Sequence, residues 1–317
     1  METSRPYIGR FAPSPTGRMH LGNAFTALLS WLAARAVGGR WILRIEDLDP
    51  QRSRREYAAL IEDDLAWLGL DRDEGGLDDR GPSGPYSQSL RSAFYNEALE
   101  RLKATGMVYP CTCTRAELHA TDAPHASDGR LIYPGNCRPV HLPTPWHEPT
   151  RPAAVRLAVP DREIIIHDRL CGHRAVNLAT HCGDFVLRRA DGAWAYQLAV
   201  VVDDALMGVT EIVRGNDLLL SVAQQDYLRS LLGYPAVDHI HVPLVCNAAG
   251  QRLSKRDSSL SLEAIRAKAT PEAVIGRLAF MAGLIPEPVP IKAADLVALF
   301  DVEKLTRAET VTAEAEF

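Results

Sequence analysis

Two separated stretches of this 317-residue chain carry residues suited to holding phosphate. The first is Pro13-Ser14-Pro15-Thr16-Gly17, followed by His20-Leu21-Gly22-Asn23. Small, rigid residues let backbone approach a phosphate closely. A helix beginning near Leu21 or Asn23 adds free N–H groups and the positive end of its dipole. His20 can donate a hydrogen bond to a phosphate oxygen. The same residues also suit a Pro/Gly turn capped by Asn23. The second stretch is Arg252-Leu253-Ser254-Lys255-Arg256. Its cations can close over a triphosphate and offset the charge that grows on an α-phosphate under attack. A solvated basic turn has the same composition.

The elements around the first stretch predict how it is positioned. Residues 7–12 read as a strand, and Phe25, Leu28, Leu29, Leu32 and Ala36 then share one face of a helix that Gly38-Gly39 stops. A second strand over 41–45 is broken by Asp49-Pro50, and a helix over 53–68 follows. Strand, helix, strand, helix predicts a parallel sheet with crossover helices, whose ligands sit at the carboxyl ends of the strands. After a helix over 89–105 this alternation lapses. Residues 107–185 hold five of the six cysteines, many prolines and most of the histidines, the composition of an insertion. Strands are expected again over 194–202, 208–213 and 239–245, with a helix over 217–232. Helices follow over 263–268 and 272–281, and the polar end, 306–317, is expected to be disordered. The expected segments are 1–106 and 186–259 as two halves of one nucleotide-binding domain, 107–185 as the insertion, and 260–317 as a helical segment with a tail.

Composition narrows the class. With 46% hydrophobic and 24% charged residues the chain is ordinary globular material. No apolar run approaches the ~20 residues that span a bilayer, and the N-terminal residues lack a secretory apolar segment. A cytoplasmic location, no membrane and reduced or metal-bound cysteines are therefore expected. A net charge of −5 speaks against nucleic-acid binding over the whole surface and leaves a local basic face open.

Taken together, Pro13-Ser14-Pro15-Thr16-Gly17 with His20-x-Gly22, and Arg252-Leu253-Ser254-Lys255-Arg256, resemble the two signature motifs of the class I aminoacyl-tRNA synthetases in their glutamate-type form. Arg252 stands where the second motif usually has lysine. Arg44-Ile45-Glu46-Asp47 and residues 200–215 extend the likeness, which runs over about 7–256. Only about sixty residues follow the second motif, too few for the helical anticodon-binding region of a full-length bacterial enzyme. The likeness is thus to a short branch of the family. It implies ATP-dependent activation of L-glutamate as glutamyl-AMP, with His20 and Lys255 stabilising the transition state and Mg2+ arriving with ATP. Pro13, Ser14, Pro15, Thr16, Gly17, Gly22 and Asn23 would line the ATP site together with Arg252, Leu253, Ser254 and Arg256.

Glutamate has two carboxylates and one ammonium, so its pocket needs cations and an anion. Arg10 and Arg214 can clamp a carboxylate with a planar fork. Glu46 can take the ammonium and Tyr196 can add a hydroxyl, over a floor of Phe11, Ala12, Pro13 and Ser14. The resemblance implies the same roles. Asp203-Asp204 reads as structural or loop-orienting.

Cys111-Thr112-Cys113 and Cys137 supply three thiolates of a structural zinc site, which needs four ligands. Chemistry alone favours His141 as the fourth. The resemblance to the short branch favours Tyr133, through the pattern Tyr133-Pro134-Gly135-Asn136-Cys137. A second group, Cys171-Gly172-His173 with His181-Cys182, is read as packing or surface. The expected architecture is α/β: a Rossmann-type parallel sheet split by a zinc-bearing insertion, followed by a short helical C-terminal segment. The resemblance further implies that glutamate passes to queuosine at the wobble position of tRNA(Asp); a monomer is expected. A shortened enzyme charging tRNA(Glu) and a catalytically silent glutamate- or tRNA-binding regulator are the alternatives.

Overall fold

A computed structural model describes residues 5–114, 117, 132–253 and 260–313. The lysine of the second basic stretch, Lys255, and its neighbours Ser254 and Arg256 lie outside the described residues. Three strands, β1 (Ile8–Phe11), β2 (Arg40–Leu43) and β3 (Glu74–Gly75), pair in parallel in the order β1-β2-β3. A second parallel pair, β9 (Glu211–Gly215) with β10 (Asp238–Val242), lies beside β1. The seam is held by Thr210 N donating to Ile8 O at 2.8 Å and by Ile8 N donating to Thr210 Oγ1 at 2.9 Å. The spatial order is therefore β3-β2-β1-β9-β10. Chain direction reverses its progress between β1 and β9, the place where a doubly wound sheet opens a crevice.

Helix α1 (Leu21–Arg35) packs on this sheet against β1, β2 and β9. Its Ala- and Leu-rich sequence is a strong helix former, and Gly38, at φ 63°, lets the chain turn back into β2. Helices α2 (Arg55–Trp67) and α3 (Ser92–Ala104) follow β2 and β3. Between the halves of the sheet stand β4 (Val108–Cys111), β5 (Ala154–Leu157) and β8 (Phe185–Arg188), antiparallel in the order β4-β5-β8, and a hairpin of β6 (Glu163–Asp168) with β7 (Gly172–Asn177). Among the described residues no helix is long and apolar enough to cross a membrane.

Three expectations change. The strand expected over 194–202 is a helix, Tyr196–Leu206. Its run Leu198 to Val202 is buried on every side, so neither helical nor strand periodicity shows, and the β-branched valines point the wrong way. The strand expected over 239–245 is two strands separated by Pro243: β10, and β11 (Leu244–Cys246). The tail expected to be disordered instead contributes β12 (Thr310–Thr312), which pairs in parallel with β11. Backbone pairing there needs no apolar sequence, which is why a polar tail gives no warning of it.

Candidate active site

A cleft of about 1010 Å³ opens at the carboxyl ends of β1 and β9. Arg10, Phe11, Ala12, Pro13, Ser14, Thr16, Gly17, His20, Gly22 and Asn23 line it from the first half of the chain. Glu46, Tyr196, Arg214, Arg252 and Leu253 line it from farther along. Pro15 does not; its carbonyl is occupied by Arg54 N at 2.9 Å, which pins the loop from behind.

His20 is the N-cap of α1. Its Nδ1 accepts from Gly22 N at 3.1 Å and Asn23 N at 3.3 Å, while Asn23 Oδ1 accepts from His20 N at 3.1 Å. This reciprocal cap satisfies orphan donors of the first turn. It also fixes the ring: with Nδ1 accepting, a neutral imidazole carries its proton on Nε2, where it can be donated. A Cβ on Gly22 would stand 3.1 Å from two atoms of that ring, so glycine leaves room for the cap.

The described residues on either side of 254–259 come to the same place. Leu253 lines the cleft, and Leu253 N donates to Val245 O at 3.2 Å. Beyond 254–259 the chain returns beside His20: Ser261 bridges to it, and Leu262 N donates to Met19 O at 2.9 Å. Arg252 pairs with Asp217 at 2.6 Å.

Deeper in the cleft the charged groups are held from behind. Asp204 sits beneath them, pairing with Arg44 at 2.6 Å and with Arg10 at 3.3 Å. Arg44 also grips Glu46 at 3.0 Å. Its neighbour Asp203 accepts from Arg91 at 2.5 Å, Gln88 at 2.8 Å and the Tyr95 hydroxyl at 2.9 Å, tying α3 to the same hub. Burial alone would raise the Asp204 carboxyl, but Arg44 and Arg10 outweigh it and hold it down at about 2. Burial raises Glu46 against the pull of Arg44 and Arg10. Burial also lowers Arg10, with the nearby cations Arg44 and Arg214 adding to the effect. An incoming carboxylate relieves that repulsion, and an incoming ammonium favours the ionised form of Glu46. Tyr196 begins its helix and faces Arg214, Glu46 and Arg10 at once.

Arg214 is almost wholly buried. Its Nε donates to His241 Nε2 at 2.9 Å and its Nη2 to Leu218 O at 3.3 Å, while Nη1 is a buried donor with no partner among the described residues. A buried orphan N–H is costly unless something accepts from it. Its partner His241 and the buried Asp168 behind it carried no role in the sequence, nor did Asp217. Their one signal was the alternation His239, His241 inside an otherwise apolar strand.

In the insertion, the Sγ atoms of Cys111, Cys113 and Cys137 lie within 4.8 Å of one another, and Cys113 and Cys137 approach to 3.5 Å. That is far beyond a disulfide bond and close to the ~3.8 Å between sulfurs that share a tetrahedral zinc at about 2.3 Å. The Tyr133 hydroxyl stands 3.4 Å from Cys111 Sγ and 4.0 Å from Cys113 Sγ. Burial raises the Cys113 thiol to about 11, whereas hydrogen bonds from Thr112 backbone and Cys113 overcome burial and bring Cys137 to about 7. Cys171 instead donates to His241 O at 3.3 Å, and Cys182 to the Leu178 and Gly183 carbonyls, in keeping with packing roles.

The family model described as tRNA synthetases class I (E and Q), catalytic domain, matches residues 8–316. A glutamyl-Q tRNA(Asp) synthetase of Symbiobacterium thermophilum is 48% identical, over 96% of this chain and 97% of its own. One from Nitratidesulfovibrio vulgaris is also 48% identical, over 96% and 95%. Among solved structures, the glutamate-tRNA synthetase from Elizabethkingia anophelis superposes with a TM-score of 0.84 at 29% identity, covering 98% of this chain and 68% of that one. With a superposing fold, a family match over 8–316 and relatives covered almost end to end, the chain belongs to the class I tRNA synthetases of the E and Q family.

Proposed function

We propose that this enzyme activates L-glutamate with ATP and transfers it to queuosine at the wobble position of tRNA(Asp). The observation that carries the first half is the Nη1 donor of Arg214, buried in the cleft without an acceptor among the described residues, beside Arg10, Glu46 and Tyr196. Two cations, one anion and a hydroxyl match an acidic amino acid better than a neutral or basic one. Arg214 and Arg10 take the side-chain carboxylate, Glu46 takes the ammonium, and the α-carboxylate is left facing α1.

An oxygen of that α-carboxylate attacks the α-phosphorus of ATP in line, and the bond to the bridging oxygen breaks to release pyrophosphate. His20 Nε2–H and the N-terminus of α1 stabilise the phosphate charge. Lys255, in the stretch between Leu253 and Ser261, adds a cation to that stabilisation. In the second step a ring hydroxyl of queuosine attacks the acyl carbon and AMP leaves. The sequence likeness to relatives named for that transfer supports the acceptor.

The decisive experiment incubates the enzyme with radiolabelled glutamate, ATP and tRNA from cells with or without queuosine. Label is expected only on queuosine-containing tRNA(Asp). Label on tRNA(Glu), or label independent of queuosine, overturns the acceptor assignment while leaving adenylation in place.

For the insertion we infer a structural zinc held by Cys111, Cys113, Cys137 and the Tyr133 oxygen. Of the two candidates for the fourth ligand, Tyr133 is the one whose oxygen stands among the sulfurs. Metal analysis of the purified protein is expected to give one zinc per chain. Tyr133→Phe should release it to a mild chelator sooner than the parent does, and His141→Ala should not.

A further inference from the structure

Arg214 can serve the proposed recognition only if Nη1, unpartnered among the described residues, points at the ligand, and what holds it there is a relay of two buried side chains. Asp168, the last residue of β6, accepts from Leu170 N at 2.9 Å and Cys171 N at 2.7 Å through Oδ1. Its Oδ2 accepts from His241 N at 3.0 Å and bonds to His241 Nδ1 at 2.6 Å. On the far side of the ring, Nε2 meets Arg214 Nε at 2.9 Å. A guanidinium has donors only, so Nε2 must be the acceptor and the imidazole proton must sit on Nδ1, facing Asp168. Each bond thus fixes the next. Asp168 sets the tautomer, the tautomer presents a lone pair, and the lone pair fixes Arg214 Nε. With Nε and one Nη2 hydrogen taken, Nη1, which has no partner among the described residues, is left for the cleft.

The three residues come from three elements. Arg214 is in β9 and His241 stands opposite it in the parallel register of β10, while Asp168 belongs to a hairpin of the intervening segment. That hairpin is fastened to the sheet by Arg169 N donating to His239 O at 2.9 Å and by the Arg169–Glu211 pair at 2.5 Å.

We propose that Asp168 and His241 are positioning residues for amino-acid recognition, which orient Arg214 so that the enzyme prefers a side-chain carboxylate over its neutral amide. This rests on Arg214 contacting the substrate side chain as set out above.

The test is ATP–pyrophosphate exchange with the full chain, comparing L-glutamate with L-glutamine, an isosteric amide. Within one variant the ratio of the two kcat/KM values does not depend on how much of the protein is folded. His241→Phe removes the acceptor and keeps an aromatic ring. It should raise the KM for glutamate and lower the glutamate-to-glutamine ratio by roughly ten- to a hundredfold, the effect of losing one hydrogen bond to a charged group. The KM for ATP should stay unchanged. His241→Gln, whose amide oxygen can again accept from Arg214 Nε, should recover part of the ratio. Asp168→Asn sets an amide NH2 against backbone donors and should lower it. Arg214→Lys serves as the reference. If it lowers the ratio and His241→Phe does not, the relay is refuted by itself. If Arg214→Lys leaves the ratio intact, the side-chain assignment of Arg214 falls and the relay falls with it.

Discussion

On the side of the cleft proposed to take the amino acid the cations are gripped from behind, whereas on the side proposed for phosphate Arg252 reaches through solvent. Arg214 is 4% exposed and locked by His241, and Arg10 is pinned over Asp204. Arg252 has a side chain 63% exposed and pairs with Asp217 at 2.6 Å. A buried ion pair contributes little net stability because desolvation offsets the attraction, yet removing one member leaves an uncompensated charge and is severe. An exposed pair is worth about 0–1 kcal/mol and is easily remade. The difference matches the two tasks. Recognition of a small acid gains from groups that cannot shift, and a triphosphate that must enter and leave as pyrophosphate gains from groups that can.

The largest effect that would break this contrast is expected on the rigid side. Asp204→Ala strands Arg10 and Arg44, and it should cost ~3–5 kcal/mol in urea unfolding. If stability is unchanged, the hub is not what holds the pocket. The pH dependence follows from the depressed carboxyl. Its folded value of about 2 lies below the ~3.9 of an unfolded aspartate, so its contribution is complete above about pH 4 and is lost as pH falls towards 2. The parent should therefore lose stability through that window more steeply than Asp204→Ala does.

Next in size is Lys255→Ala, which should slow adenylate formation by roughly 10²–10³-fold while leaving unfolding almost unaltered. Exchange at the parental rate would remove lysine from the proposed chemistry. Smallest is Arg252→Ala. Breaking an exposed pair should change stability by less than ~1 kcal/mol, with a modest rise in the KM for ATP and none in that for glutamate. A large change in glutamate KM instead would show that the two sides of the cleft are coupled.

How much of this could be read in the sequence depended on how local each feature is. The turn of Pro13 to Gly17 is written in neighbouring residues and lies in the cleft, while the cap, expected at Asn23, falls to His20, with Asn23 as its reciprocal partner three residues on. The parallel sheet followed from alternating periodicities. The helix Tyr196–Leu206 was lost because a segment buried all round has no polar face to mark its period. Asp203 and Asp204 stood out as charges in an apolar run, but Arg44 lies 160 residues from Asp204 in sequence, and nothing local names such a partner. The same distance problem hid Asp168 and His241, 73 residues apart. Tyr133 was favoured over His141 through likeness alone, and physical proximity to the thiols now adds an independent reason.

The small pairing of β11 with β12 has a practical consequence for anyone shortening this protein. Leu244 N and Asn216 Nδ2 both donate to Glu309 O, at 3.1 and 2.7 Å, and Ala313 N donates to Cys246 O at 2.8 Å. A minimal enzyme trimmed after its last helix would uncover a raw strand edge beside the cleft, inviting self-association between molecules. Such a trimmed version would have to be judged by its solubility as well as by its turnover.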